Sequence, residues 1–274
     1  MVRLATSSMF FHEYPIDEVF DYADEAGLDT IEFWAETPHF WLRGLPVAEL
    51  TSCIGDHRCF EPVLYHAPIL DLNPCSINPR VSDISVEYTL ESLLVAEECG
   101  ASVVTVHPGR RTAKRPPSEP DYRRFEHYLM EIRNTAAGLK VKVAVENMEK
   151  KINSLFSTPE SVRELLDREP WLSFTLDISH ALGEGADVVT SYIGLCSDRI
   201  VNVHLGRAND GRMHLPVEGS PEIEAVLHQL ADTGYDGTIS FEIEDMHFPH
   251  QLSSEEKVIF LRKQADFVRD CLGL

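Results

Sequence analysis

Eight short, nearly continuous runs of apolar and mostly β-branched residues recur along the chain, and a helical pattern follows each of them. The runs are Val2–Thr6, Asp29–Phe33, Pro62–His66, Ser102–His107, Val141–Glu146, Leu172–Asp177, Ile200–His204 and Gly237–Glu242. Continuous rather than alternating apolar character marks parallel strands buried on both faces. Parallel strands require long crossovers, and the intervening stretches supply helices. Ile16, Val19, Phe20 and Ala23 keep a helical spacing that stops at Gly27, and a longer helix predicted from about Ile84 stops at Gly100. Thr158-Pro159 places Pro at a first helical position, and Ser253 with Glu256 reads as a capping box. With no linker, composition shift or internal repeat, these units predict one domain over residues 1–274, of α/β class: a (βα)8 TIM barrel.

Composition narrows the function classes. Lys and Arg number 24 against 45 Asp and Glu, a net charge of −21, which argues against a general nucleic-acid binder. A 43% hydrophobic, 25% charged chain is not disordered. It contains no run of about 18 apolar residues, so no membrane span is expected. The stretch Met1–Ser8 lacks a secretory apolar core with a cleavage site. Cys53, Cys59, Cys75, Cys99, Cys196 and Cys271 show no CxxC pair, so reduced, mostly buried thiols and a cytoplasmic location are expected.

The residues that end the runs carry the chemistry. The third run ends at His66, the fourth at His107, the fifth at Glu146, the sixth at Asp177, the seventh at His204 and the eighth at Glu242. In a parallel barrel every strand C-terminus opens on the same mouth. His180 follows Asp177 by three residues, and His214 falls in the loop after the seventh run. Carboxylates gathered this closely repel unless a cation sits between them. Mixed imidazole and carboxylate donors suit Zn²⁺, Mn²⁺ or Co²⁺. A divalent-metal site at the mouth is the expectation.

The segments Tyr65-His66-Ala67-Pro68, Val106-His107-Pro108-Gly109, Val145-Glu146-Asn147, Leu176-Asp177-Ile178-Ser179-His180, Val203-His204-Leu205, His214-Leu215-Pro216 and Ile239-Ser240-Phe241-Glu242 resemble, in order and spacing, the xylose-isomerase-like barrel superfamily. That resemblance implies one of two chemistries. The sugar isomerase and epimerase branch holds one divalent ion with two Glu, one Asp and one His, which fall here on Glu146, Asp177, His204 and Glu242. Glu146 and Glu242 would then be the acid/base pair of an enediolate mechanism, with His180 and Arg212 at substrate-binding positions. The endonuclease IV branch, cutting DNA at abasic sites, uses nine ligands for three zinc ions. Eight have counterparts: His66, His107, Glu146, Asp177, His180, His204, His214 and Glu242. The ninth is an Asp two residues before the last His, where this chain has Arg212, which cannot ligate zinc.

A small sugar or anionic substrate is the expected partner, and His66, His107, His180, Arg207, Arg212 and Glu32 are the expected substrate-binding residues. Arg110, Arg111, Lys114, Arg115, Lys150, Lys151, Arg207 and Arg212 all follow strand ends and would form a basic rim on an acidic body, attracting an anionic substrate such as a sugar phosphate or a DNA backbone. The aromatic segment Trp34, His39, Phe40 and Trp41 is expected to plug the barrel beside the mouth. His247 and His250 are expected in a loop, and His228 on a helix surface.

Overall fold

A computed structural model describes residues 1–57 and 60–274. The strands are β1 (Arg3–Ser7), β2 (Thr30–Trp34), β3 (Leu64–His66), β4 (Val103–Val106), β5 (Lys142–Glu146), β6 (Ser173–Asp177), β7 (Ile200–Leu205), β8 (Arg207–Asn209), β9 (Arg212–Leu215) and β10 (Thr238–Phe241). Eight of them close a parallel barrel in the order β1-β10-β7-β6-β5-β4-β3-β2, with β8 and β9 apart as an antiparallel ribbon. Every residue of β2, β3, β4 and β10 is buried, as the continuous apolar runs require. The outer core fills the space between strands and helices. Phe33, for example, packs edge-on against Phe40 at 5.1 Å and lies within 6.3 Å of Phe20 and Tyr65.

The helices start and stop largely where local chemistry places them. The helix Ile16–Glu25 buries Ile16, Val19, Phe20 and Ala23. Thr158 and Ser253 cap their helices with the expected side-chain bonds. The helix expected from about Ile84 begins earlier and spans Pro79–Glu98, because Asn78 accepts the Arg80 N–H and Pro79 takes the first helical position. The strand limits also shift slightly. β4 stops at Val106 and β10 at Phe241, so His107 and Glu242 stand one residue beyond their strands.

Cys53, Cys75, Cys99, Cys196 and Cys271 are free thiols, the first four buried. Burial pushes the Cys53 and Cys196 thiols up to about 11 and that of Cys75 to about 12. Cys59 lies outside the described residues. Among the described residues no helix is long and apolar enough to cross a membrane.

Candidate metal centre and its mouth

A layer of polar side chains crosses the barrel interior beneath the mouth. Thr105 Oγ1 donates to Glu32 Oε1 at 3.3 Å and meets Thr175 Oγ1 at 2.9 Å, while Asn202 Nδ2 donates to Glu32 Oε2 at 3.1 Å. His204 Nε2 donates to Glu32 Oε1 at 3.0 Å, which fixes the ring and turns Nδ1 toward the mouth. Glu32 therefore does not reach the mouth as a substrate acceptor. Its register explains why: it pairs with Leu64, two residues below His66, whereas Trp34 pairs with His66 itself. Burial opposes its charge, but His204 beside it brings Glu32 below the usual carboxylate range.

Above this layer the remaining candidates converge. Glu146 Oε2 accepts from His107 Nε2 at 3.0 Å and lies 3.4 Å from both His66 Nε2 and His204 Nδ1. His204 Nδ1 is 2.7 Å from Glu242 Oε2 and 3.9 Å from Asp177 Oδ2. His180 Nδ1 lies 3.3 Å from Glu146 Oε1, and His214 Nδ1 lies 3.6 Å from Glu242 Oε1. All eight residues expected at the mouth are thus assembled there. Seven of them form three overlapping groups close enough to share an ion: His66, His107 and Glu146; Glu146, Asp177 and His204; and Asp177, His180 and His214; Glu242 joins through His204.

The supporting contacts are mostly backbone. His66 Nδ1 donates to the Ala67 carbonyl at 2.8 Å, and its ring stacks on Trp34 at 3.8 Å. Asn147 accepts the Asp177 N–H at 2.7 Å and donates Nδ2 to the Asp177 carbonyl at 2.9 Å, clamping that strand end from both sides. Ser179 Oγ accepts the His214 N–H at 2.7 Å, holding His214 at a positive φ of 53°. Gly206 is required where it stands, since a Cβ there would meet the Glu242 carbonyl at 2.8 Å and His214 Cα at 3.0 Å. Asn147 and Ser179 carry no metal-ligand signal in the sequence; their only mark is adjacency to Glu146 and His180.

Among the described residues, Asp177 Oδ2 and His214 Nδ1 are buried without a hydrogen-bond partner, and His204 Nδ1 and Glu242 Oε2, 2.7 Å apart, are not aligned for a bond with each other or with another group. Unpartnered buried polar atoms are costly, and four aimed into one space call for an ion. Burial opposes ionisation of Glu242, yet His204 and His214 bring it down to about 2; His107 and His204 likewise hold Glu146 well below its ordinary range. Burial keeps Asp177 above its ordinary value against His180 and His214. Burial works against a charge on His180, but Asp177 and Glu146 raise it to about 10. The three carboxylates Glu146, Asp177 and Glu242 with His204 offer a donor set that fits a divalent ion of the Zn²⁺ or Mn²⁺ type.

Two cavities open over this centre. One, of about 540 Å³, is walled by His107 and His180 on its inner side and by Arg110, Lys114 and Lys151 further out. The other, of about 390 Å³, shares His180 and is edged by Arg212 on the β8–β9 ribbon. His214, expected in a plain loop, lies on β9 of this ribbon. The turn Asp210-Gly211, with φ of 50° and 74° between paired Asn209 and Arg212, is the signal that marks it. Arg207 lines neither cavity; its Nε donates to the Pro216 carbonyl at 3.2 Å, so its expected substrate contact is not supported. Phe40 is fully buried against Phe33 in the outer core, Trp41 packs on Tyr88 at 4.7 Å, and Trp34 stacks on His66 at the mouth. His247 lies in a short turn, His250 beyond it is exposed, and His228 is exposed on its helix.

The model of the xylose isomerase-like TIM barrel matches residues 20–264. The chain belongs to that family. An uncharacterized protein of Methanocaldococcus jannaschii is 30% identical over 99% of this chain and 100% of its own length. A probable endonuclease 4 of Aquifex aeolicus is 26% identical over 84% of this chain and 83% of its own. Among solved structures, a D-tagatose 3-epimerase-like protein superimposes with a TM-score of 0.76 at 26% identity, covering 98% of each chain. Endonuclease IV of Thermus thermophilus shares the fold, with a TM-score of 0.70 at 18% identity over 98% of this chain and 99% of that one. These neighbours of the family are enzymes of two kinds, sugar epimerases and endonuclease IV.

Proposed function

We propose that this xylose isomerase-like barrel is a divalent-metal-dependent sugar or sugar-phosphate isomerase or epimerase. The observation that carries the reading is the convergence of Asp177 Oδ2, His204 Nδ1 and Glu242 Oε2, all buried and unpartnered, around the anionic Glu146. A bound Zn²⁺ or Mn²⁺, with Co²⁺ as a third choice, would polarise the carbonyl and adjacent hydroxyl oxygens of a ketose and acidify the C–H of the hydroxyl-bearing carbon beside the carbonyl. Glu146 and Glu242 flank His204 and serve as the pair that removes a proton from carbon and returns one. His107 donates to Glu146 from the cavity side and orients it. His180, which lies between Glu146 and Asp177 and lines both cavities, is a donor for a substrate oxygen.

The test is proton exchange at the carbon beside the carbonyl, followed by NMR in D₂O on metal-loaded protein. Glu146→Gln and Glu242→Gln are each expected to slow exchange by about 10²–10⁴-fold. Exchange unchanged in Glu146→Gln would remove the reading.

A second reading, a zinc phosphodiesterase acting at abasic sites, draws on the two outer groups around His66 with His107 and around His180 with His214. Arg212 weighs against it, since the side chain two residues before His214 is a cation on an exposed ribbon. Three zinc ions per chain by elemental analysis, with incision of an abasic duplex, would favour the phosphodiesterase.

A further inference from the structure

Glu32 lies in the barrel interior, lines neither cavity and stands outside the groups close enough to share an ion. It is fully buried, as are Thr105 and Asn202 beside it, and no Lys or Arg pairs with it among the described residues. A buried carboxylate without a cation of its own is costly. A neutral amide of the same shape could accept from Thr105 Oγ1 and Asn202 Nδ2 equally well, so those two bonds do not explain a charge here.

His204 explains it. An ionised carboxylate only accepts, so the imidazole edge that faces Glu32 must carry its proton on Nε2, 3.0 Å away. One ring nitrogen is then left for the mouth. That is Nδ1, which lies 2.7 Å from Glu242 Oε2, 3.4 Å from Glu146 Oε2 and 3.9 Å from Asp177 Oδ2. A cation entering among these oxygens needs the Nδ1 lone pair, and Glu32 is what leaves that lone pair to it. With Gln at position 32, the amide N–H can donate to Nε2 instead. The ring proton then moves to Nδ1, beside Glu242, and fills the place of the ion. The carboxylate is also fixed in advance. Its donors come from β4 and β7, and Thr105 Oγ1 in turn meets Thr175 Oγ1 of β6, so Glu32 of β2 is tied across the barrel.

We infer that Glu32 is a positioning residue of the metal centre, which keeps the His204 proton on Nε2 and thereby sets how tightly the mouth holds a divalent ion. This rests on the metal centre proposed above and holds for either chemistry drawn from it.

Competition for Zn²⁺ against a chromophoric chelator, on wild type, Glu32→Gln and Thr105→Val, tests it. Glu32→Gln keeps the shape of the side chain and is expected to bind Zn²⁺ about 10–100-fold more weakly than wild type. Thr105→Val removes a bond to the same carboxylate but leaves that of His204, and should bind Zn²⁺ about as tightly as wild type. Urea unfolding of the metal-free proteins is measured alongside. A merely structural Glu32 would cost stability in Glu32→Gln and leave Zn²⁺ affinity unchanged, and that result overturns the inference. So does a loss of affinity in Thr105→Val as large as that in Glu32→Gln. The proton itself is read by ¹⁵N NMR of Zn²⁺-loaded wild type, which requires no variant to fold: it is expected on His204 Nε2, and a proton on Nδ1 overturns the inference too. Wild type that takes up no Zn²⁺ would end both this role and the metal centre. Zn²⁺ affinity lost in Glu32→Gln, with no proton exchange on any ketose in loaded wild type, would remove the epimerase reading and leave the role of Glu32 standing.

Discussion

The buried charges around Lys257 and those at the mouth are balanced differently. Lys257, on the final helix (Ser254–Leu272), is fully buried, and its ammonium donates to Glu13 Oε1 and the Phe10 carbonyl at 2.6 Å and to Asp245 Oδ2 at 3.1 Å. Rings of Phe10, Phe11 and Tyr14 stand 5.2 to 5.9 Å from it. His12, Glu13 and Asp245 are near enough to share an ion, but the chain's own cation already occupies the space between the two carboxylates. At the mouth, Glu146, Asp177 and Glu242 have no Lys or Arg paired with them among the described residues, only imidazoles, and Asp177 Oδ2 and His214 Nδ1 go unpartnered. A cluster satisfied by its own chain is structural; one that lacks a cation and keeps its acceptors aimed at a common point is a site.

The largest effect expected from this contrast is at Lys257. Replacing it with Met leaves Glu13 and Asp245 facing each other without a cation and should cost about 3 kcal/mol. Denaturant unfolding measures this, and the loss should be the same with chelator or with added Zn²⁺. A loss that disappears on adding the metal would mean that the Glu13 cluster binds an ion after all, and the contrast would fail.

The mouth should respond in the opposite sense. Zn²⁺ or Mn²⁺ at about 100 times its dissociation constant should stabilise chelator-treated protein by about 3 kcal/mol. Asp177→Asn should abolish most of that gain while raising the stability of the metal-free protein by about 1 kcal/mol, because a buried acceptor without a donor is no longer charged. Asn can still accept the His180 N–H as the helix cap, so the local turn is kept. Thermal unfolding with and without metal decides it; a destabilised metal-free variant would mean that Asp177 is held by the protein rather than waiting for an ion.

Much of this centre was legible in the sequence because a parallel barrel converts one-dimensional order into a ring. Each buried strand reads as an apolar run, and the polar residue that ends it must face the mouth, so His66, Glu146, Asp177 and His204 could be placed from run boundaries alone. Glu32 could not, since its role depends on a two-residue register difference between β2 and β3 that no local pattern encodes. Arg207 failed for a related reason: position in a mouth loop does not say whether a side chain turns to the cavity or to a neighbouring carbonyl. The β8–β9 ribbon was missed although Asn209-Asp210-Gly211 announced its turn, because its strands are too short to show a period.

The smallest effect concerns a third buried charge, which shows how the self-satisfied kind behaves with pH. Asp121 caps the helix Glu119–Ala136 and closes the loop that carries Arg110 and Lys114. Burial pushes its carboxyl up, but Ser118, through its N–H at 2.9 Å and Oγ at 2.7 Å, and Arg124 together hold it below its ordinary value. A carboxyl depressed in the folded state contributes stability above the unfolded pKa, and the contribution fades as pH falls through the folded value. Asp121→Asn should therefore cost about 1 kcal/mol at neutral pH, with the gap to wild type closing below about pH 4. Urea titrations from pH 7 down to acid follow it. A gap that persists at low pH would mean that the side chain caps by shape alone, and that the charge of Asp121, unlike that of Lys257, is incidental to the loop it closes.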